Sequence, residues 1–201
     1  MARMALVTHG TTLAGFKAIM AGDGKDDLGH SPWTVSDNDG QMYFFDVKAT
    51  GDDYGHDIDD EQTDAINCTA NQSFEAARLQ YAVQGKGGQV VVLICDVPDD
   101  MLELDYSCHG DSDAMPNARA VPCSDFDPKW IVDIQVADFD QWDCVAALAC
   151  VWDNQLFNSG SVPLKLAQLV ESVKGNYELT ESLYDFELVS VDVQEFIANN
   201  V

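Results

Sequence analysis

The hydrophobic pattern of the first half of the chain alternates between short apolar runs and one-faced stripes. Met4 to Val7 is a short apolar run and predicts a first strand that delivers His9-Gly10-Thr11 to its end. Thr12 to Ala21 reads as a helix, because Phe16, Ile19 and Met20 recur at helical spacing and Gly22 follows as a stop. Asp23 to Ser31 is rich in Gly and Asp and predicts a loop. Trp33 to Ser36 and Met42 to Val47 flank Asp37-Asn38-Asp39-Gly40. Asp-Gly supplies the positive φ that a tight hairpin needs, so this segment predicts a strand pair.

A second helix is predicted over Thr69 to Gln84. Thr69 and Gln72 have capping-box spacing, and Phe74, Ala77 and Tyr81 form an apolar stripe. Gln89 to Val97 is continuously apolar, as a strand buried on both faces would be, and Pro98 ends it. Ala118 to Pro122 and Trp130 to Val136 predict two more strands; in the second, Ile131, Asp133 and Gln135 alternate with Val132, Ile134 and Val136. Beyond residue 138 the spacing turns helical, over Asp140 to Phe157, Val162 to Lys174 and Glu181 to Asn199. The expected organisation is an α+β unit over residues 1–138 and a small C-terminal helical extension over 139–201.

Charge changes this picture. The chain has 35 acidic and 10 basic residues, a formal net charge of -25. Nucleic-acid backbones are bound mainly through Lys and Arg, so direct nucleic-acid binding is not expected. An anionic membrane surface is disfavoured on the same ground. The expected partner is a basic protein surface, reached by electrostatic steering; the competing explanation is a solubility adaptation. Asp46 to Asp64 alone holds eight acids and one lysine and predicts a solvated stretch. The six cysteines include no C-x-x-C pair, and no metal site is expected. Reduced thiols, the lack of a secretory-type start and the lack of a membrane-length apolar run point to a cytoplasmic protein.

The candidate chemistry starts at His9-Gly10-Thr11. The order of strand, His-Gly-Thr, helix, loop, hairpin carrying Tyr43, helix, buried strand and strand pair resembles the ADP-ribosyltransferases of the His-Tyr type. That group includes the poly-ADP-ribose polymerases, the diphtheria-like toxins and the DNA-targeting ADP-ribosyl toxins. The resemblance covers roughly residues 4 to 136, and Phe126-Asp127-Pro128-Lys129-Trp130-Ile131 resembles the Ile-Pro stretch of the last group. It implies a split β-sheet core and NAD as the substrate. His9 would donate to the nicotinamide ribose, the Gly10 backbone would pair with the nicotinamide amide, the Thr11 hydroxyl would lie beside them and Tyr43 would stack on the ring. Ser36, across the hairpin, is a further candidate for ribose or phosphate.

The resemblance fails at one point. It implies a Glu on the strand before the Ile-Pro stretch, and Asp111 to Val121 contains none. Alternation puts Asn117 and Arg119 on the face where it would sit. Asp113 is the preferred substitute carboxylate and Asp111 the other; altered chemistry or no catalysis stays open. Two functions follow. One is a mono-ADP-ribosyltransferase modifying a basic protein, suited to a phage or mobile-element effector against a host nucleic-acid-binding or defence complex. The other is a non-enzymatic acidic inhibitor that imitates nucleic acid in a basic cleft. An RNA phosphotransferase, which would need more basic residues to hold phosphate, ranks last.

Overall fold

The computed structural model describes residues 3–21, 41–49, 65–74, 77, 88–104, 117–122, 125–139 and 187–201. They form a mixed α and β protein built on one open sheet. The elements are β1 (Met4–Thr12), α1 (Leu13–Met20), β2 (Gln41–Asp46), a helix α2 over residues 65–74, β3 (Gly88–Pro98), β4 (Glu103–Leu104), β5 (Ala118–Pro122), β6 (Ile131–Phe139), β7 (Val189–Val191) and α3 (Val193–Asn200). The seven strands lie in the order β4-β5-β2-β1-β3-β6-β7, and every neighbouring pair is antiparallel.

β3 is the spine of the sheet. Val90, Val91, Val92, Leu93, Ile94 and Cys95 are all buried, so both faces of this strand are covered, as its unbroken apolar run predicts. Val91, Leu93 and Cys95 face a core that also holds Val7, Phe16, Phe44 and Ile134. α1 closes this face through Phe16, and α3 packs on top, with the Phe16 and Phe196 rings 5.2 Å apart. α2 lies on the other face, over Thr8 and Gly10 of β1. Burial also raises the Cys95 thiol pKa well above its ordinary value, which leaves it an inert hydrophobe. Among the described residues no helix is long and apolar enough to cross a membrane.

Local chemistry sets the element ends. Thr12 caps α1: its hydroxyl accepts from the Gly15 amide at 3.1 Å. The first strand continues through His9-Gly10-Thr11 rather than ending before them, so these residues sit inside the sheet. α2 already runs at residue 65, four residues before the capping box proposed at Thr69. Thr69 is therefore interior, and its hydroxyl donates back to the Ala65 and Ile66 carbonyls at 2.8 and 3.0 Å. Ala65, Ala70, Phe74 and Ala77 are the buried stripe that carries the helix back past Thr69.

β6 departs from simple alternation. Ile94 pairs with Asp133 but Cys95 pairs with Ile131, so Val132 is an extra residue, a β-bulge. The bulge reverses the phase of the strand. Ile131 and Ile134 both reach the core, while Val132 is 53% exposed.

The chain end also differs from a purely helical extension. Val189 to Val191 is a strand that pairs with β6, and Asp192 then caps α3 by accepting from the Glu195 amide. Val-Ser-Val carries two β-branched valines and forms a strand where the spacing over 181–199 predicts helix. Residues 140–186, most of the proposed extension, lie outside the described residues, as do the proposed strand at Trp33 to Ser36 and the acidic segment at residues 50–64.

The bulge yields a contrast measurable by chemical denaturation. Leu93→Ala, at a fully buried position, is expected to cost about 2–5 kcal/mol. Val132→Thr, in a neighbouring strand, is expected to change stability by less than about 0.5 kcal/mol. A large loss for Val132→Thr would contradict the bulged register.

Candidate functional site

The geometry that bears on function lies where β1 meets β2. Their ladder has two rungs, Val7 with Asp46 and Thr8 with Phe45. On the same register His9 would face Phe44 and Gly10 would face Tyr43. β2 continues pairing with β5 as far as Gln41–Pro122, and β1 continues with β3 as far as Thr12–Val90. Both strands therefore go on, but as partners of different neighbours.

At the point of divergence the His9 side chain takes over. Its Nδ1 lies 2.6 Å from the Tyr43 carbonyl oxygen. A carbonyl only accepts, so Nδ1 carries the proton, and the remaining nitrogen of the neutral ring, Nε2, is an acceptor. His9 as a residue keeps intermediate exposure, but its ring is held among protein groups, against Phe44 with centroids 5.7 Å apart. Desolvation lowers its pKa below the ordinary 6.5, and the bond to Tyr43 only partly opposes this. The ring is thus neutral at physiological pH. The resemblance implies a donor at His9, whereas the neutral ring with its proton on Nδ1 presents Nε2 as an acceptor.

Backbone direction defines what Gly10 presents. In an antiparallel strand successive residues turn their N–H and C=O alternately to the two neighbouring strands. The Asp46 amide goes away from β1, to the Asn117 carbonyl at 2.8 Å. Phe45 and Tyr43 therefore turn toward β1, and Thr8 and Gly10 turn toward β2. Thr8 completes its rung with Phe45. Gly10 directs its N–H and C=O into the space where the described ladder has stopped.

The proposed site residues are placed as follows. His9 and Tyr43 are joined through the Tyr43 backbone, but their side chains are not brought together. Phe44 contacts His9 on the α1 face, so the pleat turns the Tyr43 ring to the α2 face. Gly10 also has a packing reason to be glycine, since a Cβ there would collide with the Ser73 carbonyl of α2. Thr11 is buried, with its hydroxyl oxygen facing the Gly15 backbone beneath α1. Ser36, Asp111 and Asp113 lie outside the described residues.

The sequence places Arg119 near the expected carboxylate and Asp46 at the head of the acidic stretch, but does not show that the two are partners across β2 and β5. Asp46 and Arg119 form an ion pair at 3.3 Å with side chains only 14% and 17% exposed. Asp46 also accepts from the Ala49 amide, and Arg119 from its own side donates to the Ala118 carbonyl. Arg119 pairs in register with Phe44, so the expected carboxylate position on β5 holds a cation tied to Asp46. Asn117 does not share its face. It precedes β5 in a turn, and its amide donates to Gln72 of α2 at 3.1 Å. The signal that could have revealed the pair is the lone Asp that follows the aromatic run of β2.

Among the described residues no group of three or more His, Cys, Asp or Glu is arranged to hold a metal. Comparison with family profiles, curated proteins and solved structures finds no match to this chain.

The His9 geometry fixes a pH dependence. A folded-state pKa below the unfolded value means that the unfolded chain binds more protons in the interval between them. The His9 contribution to stability is therefore full above about pH 6.5 and is lost as pH falls through the lower folded pKa. NMR titration of the imidazole should give a midpoint below 6.5; a midpoint at or above 6.5 would contradict the buried neutral ring.

Proposed function

We propose that this chain binds NAD at the Gly10 edge of β1 and transfers ADP-ribose to a basic protein. The observation that carries this reading is the end of the β1–β2 ladder at Thr8–Phe45, with the His9 imidazole bound to Tyr43 just beyond it. A carboxamide carries an N–H and a C=O on one edge. It is therefore complementary to the N–H and C=O of Gly10 and can act as a further rung. A nicotinamide set there in the plane of the sheet has the Tyr43 ring on the α2 side and His9 on the α1 side. The neutral His9 Nε2 then serves as acceptor for a ribose hydroxyl. The ADP-ribosyltransferase resemblance supports this reading, although the described strands form one continuous sheet and not a split core; Thr11 supports the edge through packing and Ser36 is a further ligand candidate.

Nicotinamide loss leaves positive charge on the ribose, and fixed groups around that charge lower the barrier. The carboxylate for this task is Asp113 on this reading, since β5 itself offers Arg119. Holding NAD in one bent geometry also contributes, because it removes orientational freedom before reaction. The net charge of -25 favours a basic acceptor protein and fast, salt-sensitive encounter. The same charge supports the non-enzymatic alternative, an acidic inhibitor of a basic cleft.

The test is nicotinamide release from NAD, with and without a cell lysate as a source of acceptors. Wild-type protein should release nicotinamide and label protein, and His9→Ala should lower the rate by about 100-fold or more. No release and no NAD-induced rise in melting temperature would overturn the reading. Retained salt-sensitive binding of a basic protein would then leave the inhibitor alternative.

A further inference from the structure

Three polar side chains, Thr8, Thr69 and Ser73, are completely buried where α2 crosses β1. Their hydrogen bonds form one directed chain. The Thr8 hydroxyl donates to the Thr69 carbonyl at 3.0 Å. Its single proton is then used, so in the 2.7 Å contact between Thr8 Oγ1 and Ser73 Oγ the serine is the donor. The order is Ser73 hydroxyl to Thr8 hydroxyl to Thr69 carbonyl. Residues four apart on α2 thus grip one side chain of β1, and each bond in such a chain strengthens the next.

Two residues further along the same face of β1 is Gly10. There the Ser73 carbonyl approaches so closely that no side chain fits. α2 is therefore fixed to β1 at two successive points of one face, by hydroxyl bonds at Thr8 and by backbone contact at Gly10. Thr8 is also the last residue of β1 with a β2 rung. The clasp sits at the point where, among the described residues, the β1–β2 ladder ends.

We infer that Thr8 and Ser73 are positioning residues: they clasp α2 onto β1 and so hold the Gly10 edge at a fixed depth for a ligand. This rests on the NAD reading of that edge. A preorganised edge binds without a further ordering cost, so the clasp acts on ligand affinity and not on the bond-breaking step. The hydroxyls are satisfied within the clasp and need no contact with the ligand.

Thr8→Val removes the hydroxyl while keeping the side-chain shape, and Thr8→Ser restores the hydroxyl. Without ligand, amide exchange over residues 65–74 should speed up at least about tenfold in Thr8→Val, with β3 amides unchanged and Thr8→Ser near wild type. With NAD, Thr8→Val should raise KM about tenfold and leave kcat within about twofold, with Thr8→Ser again near wild type. Unchanged exchange in α2 would overturn the clasp. Faster exchange with unchanged KM would overturn its positioning role. If wild-type protein neither binds nor cleaves NAD, the NAD reading falls and with it the proposed ligand role of the clasp. The exchange result then still decides whether the clasp holds α2.

Discussion

The hydrogen bond from the His9 imidazole to the Tyr43 carbonyl stands where a backbone rung would otherwise continue the sheet. A carbonyl turned inward between two strands needs a donor, and leaving one unmet costs about 1–3 kcal/mol. Here a side chain supplies that donor, so β1 and β2 remain tied without remaining paired. Other features depend on this substitution. The imidazole is held in one tautomer, its pKa is drawn below the ordinary value by burial, and Gly10 is left with its hydrogen-bonding edge directed between the strands.

The rest of the fold holds that local arrangement in place. β3 supports β1 along its full length, from Met4–Pro98 to Thr12–Val90, and is itself buried on both faces. β5 supports β2 from the other side, reinforced by the ion pair of Asp46 and Arg119. Removing either partner takes the counter-ion from a charge that is only partly exposed, which weakens the tie between β2 and β5. The α2 face adds the clasp at Thr8 and the close approach at Gly10. The two strands are thus each fixed by an outer neighbour at the place where their own described ladder ends.

Much of this scaffold was legible in the sequence because periodicity reports burial. The continuous run around Leu93, the short strand at Ala118 to Pro122 and the Phe16 stripe of α1 each formed as expected. The misses have specific physical causes. Val132 is apolar and β-branched, and nothing in its own residue type announces a bulge; the register is set by its partner strand. Thr69 carries a capping signature, but the buried stripe through Ala65 extends the helix past it. Val189 to Val191 is too short for periodicity to separate from the helix that follows. The candidate site was legible only in its residue types. His9 and Gly10 could be singled out by residue type and order. The tautomer of His9, the opposite faces of His9 and Tyr43, and the pairing of Arg119 with Asp46 depend on cross-strand register, which a single sequence does not display.

The central claim is that the Gly10 edge of β1 is the ligand-binding edge. The most direct measurement is an amide NMR titration of the intact chain with nicotinamide. The expected result is that the Gly10 amide shifts first and furthest, with Tyr43 and the His9 ring following and the β6–β7 edge unmoved. A titration that leaves Gly10 unchanged at saturating nicotinamide would contradict the claim.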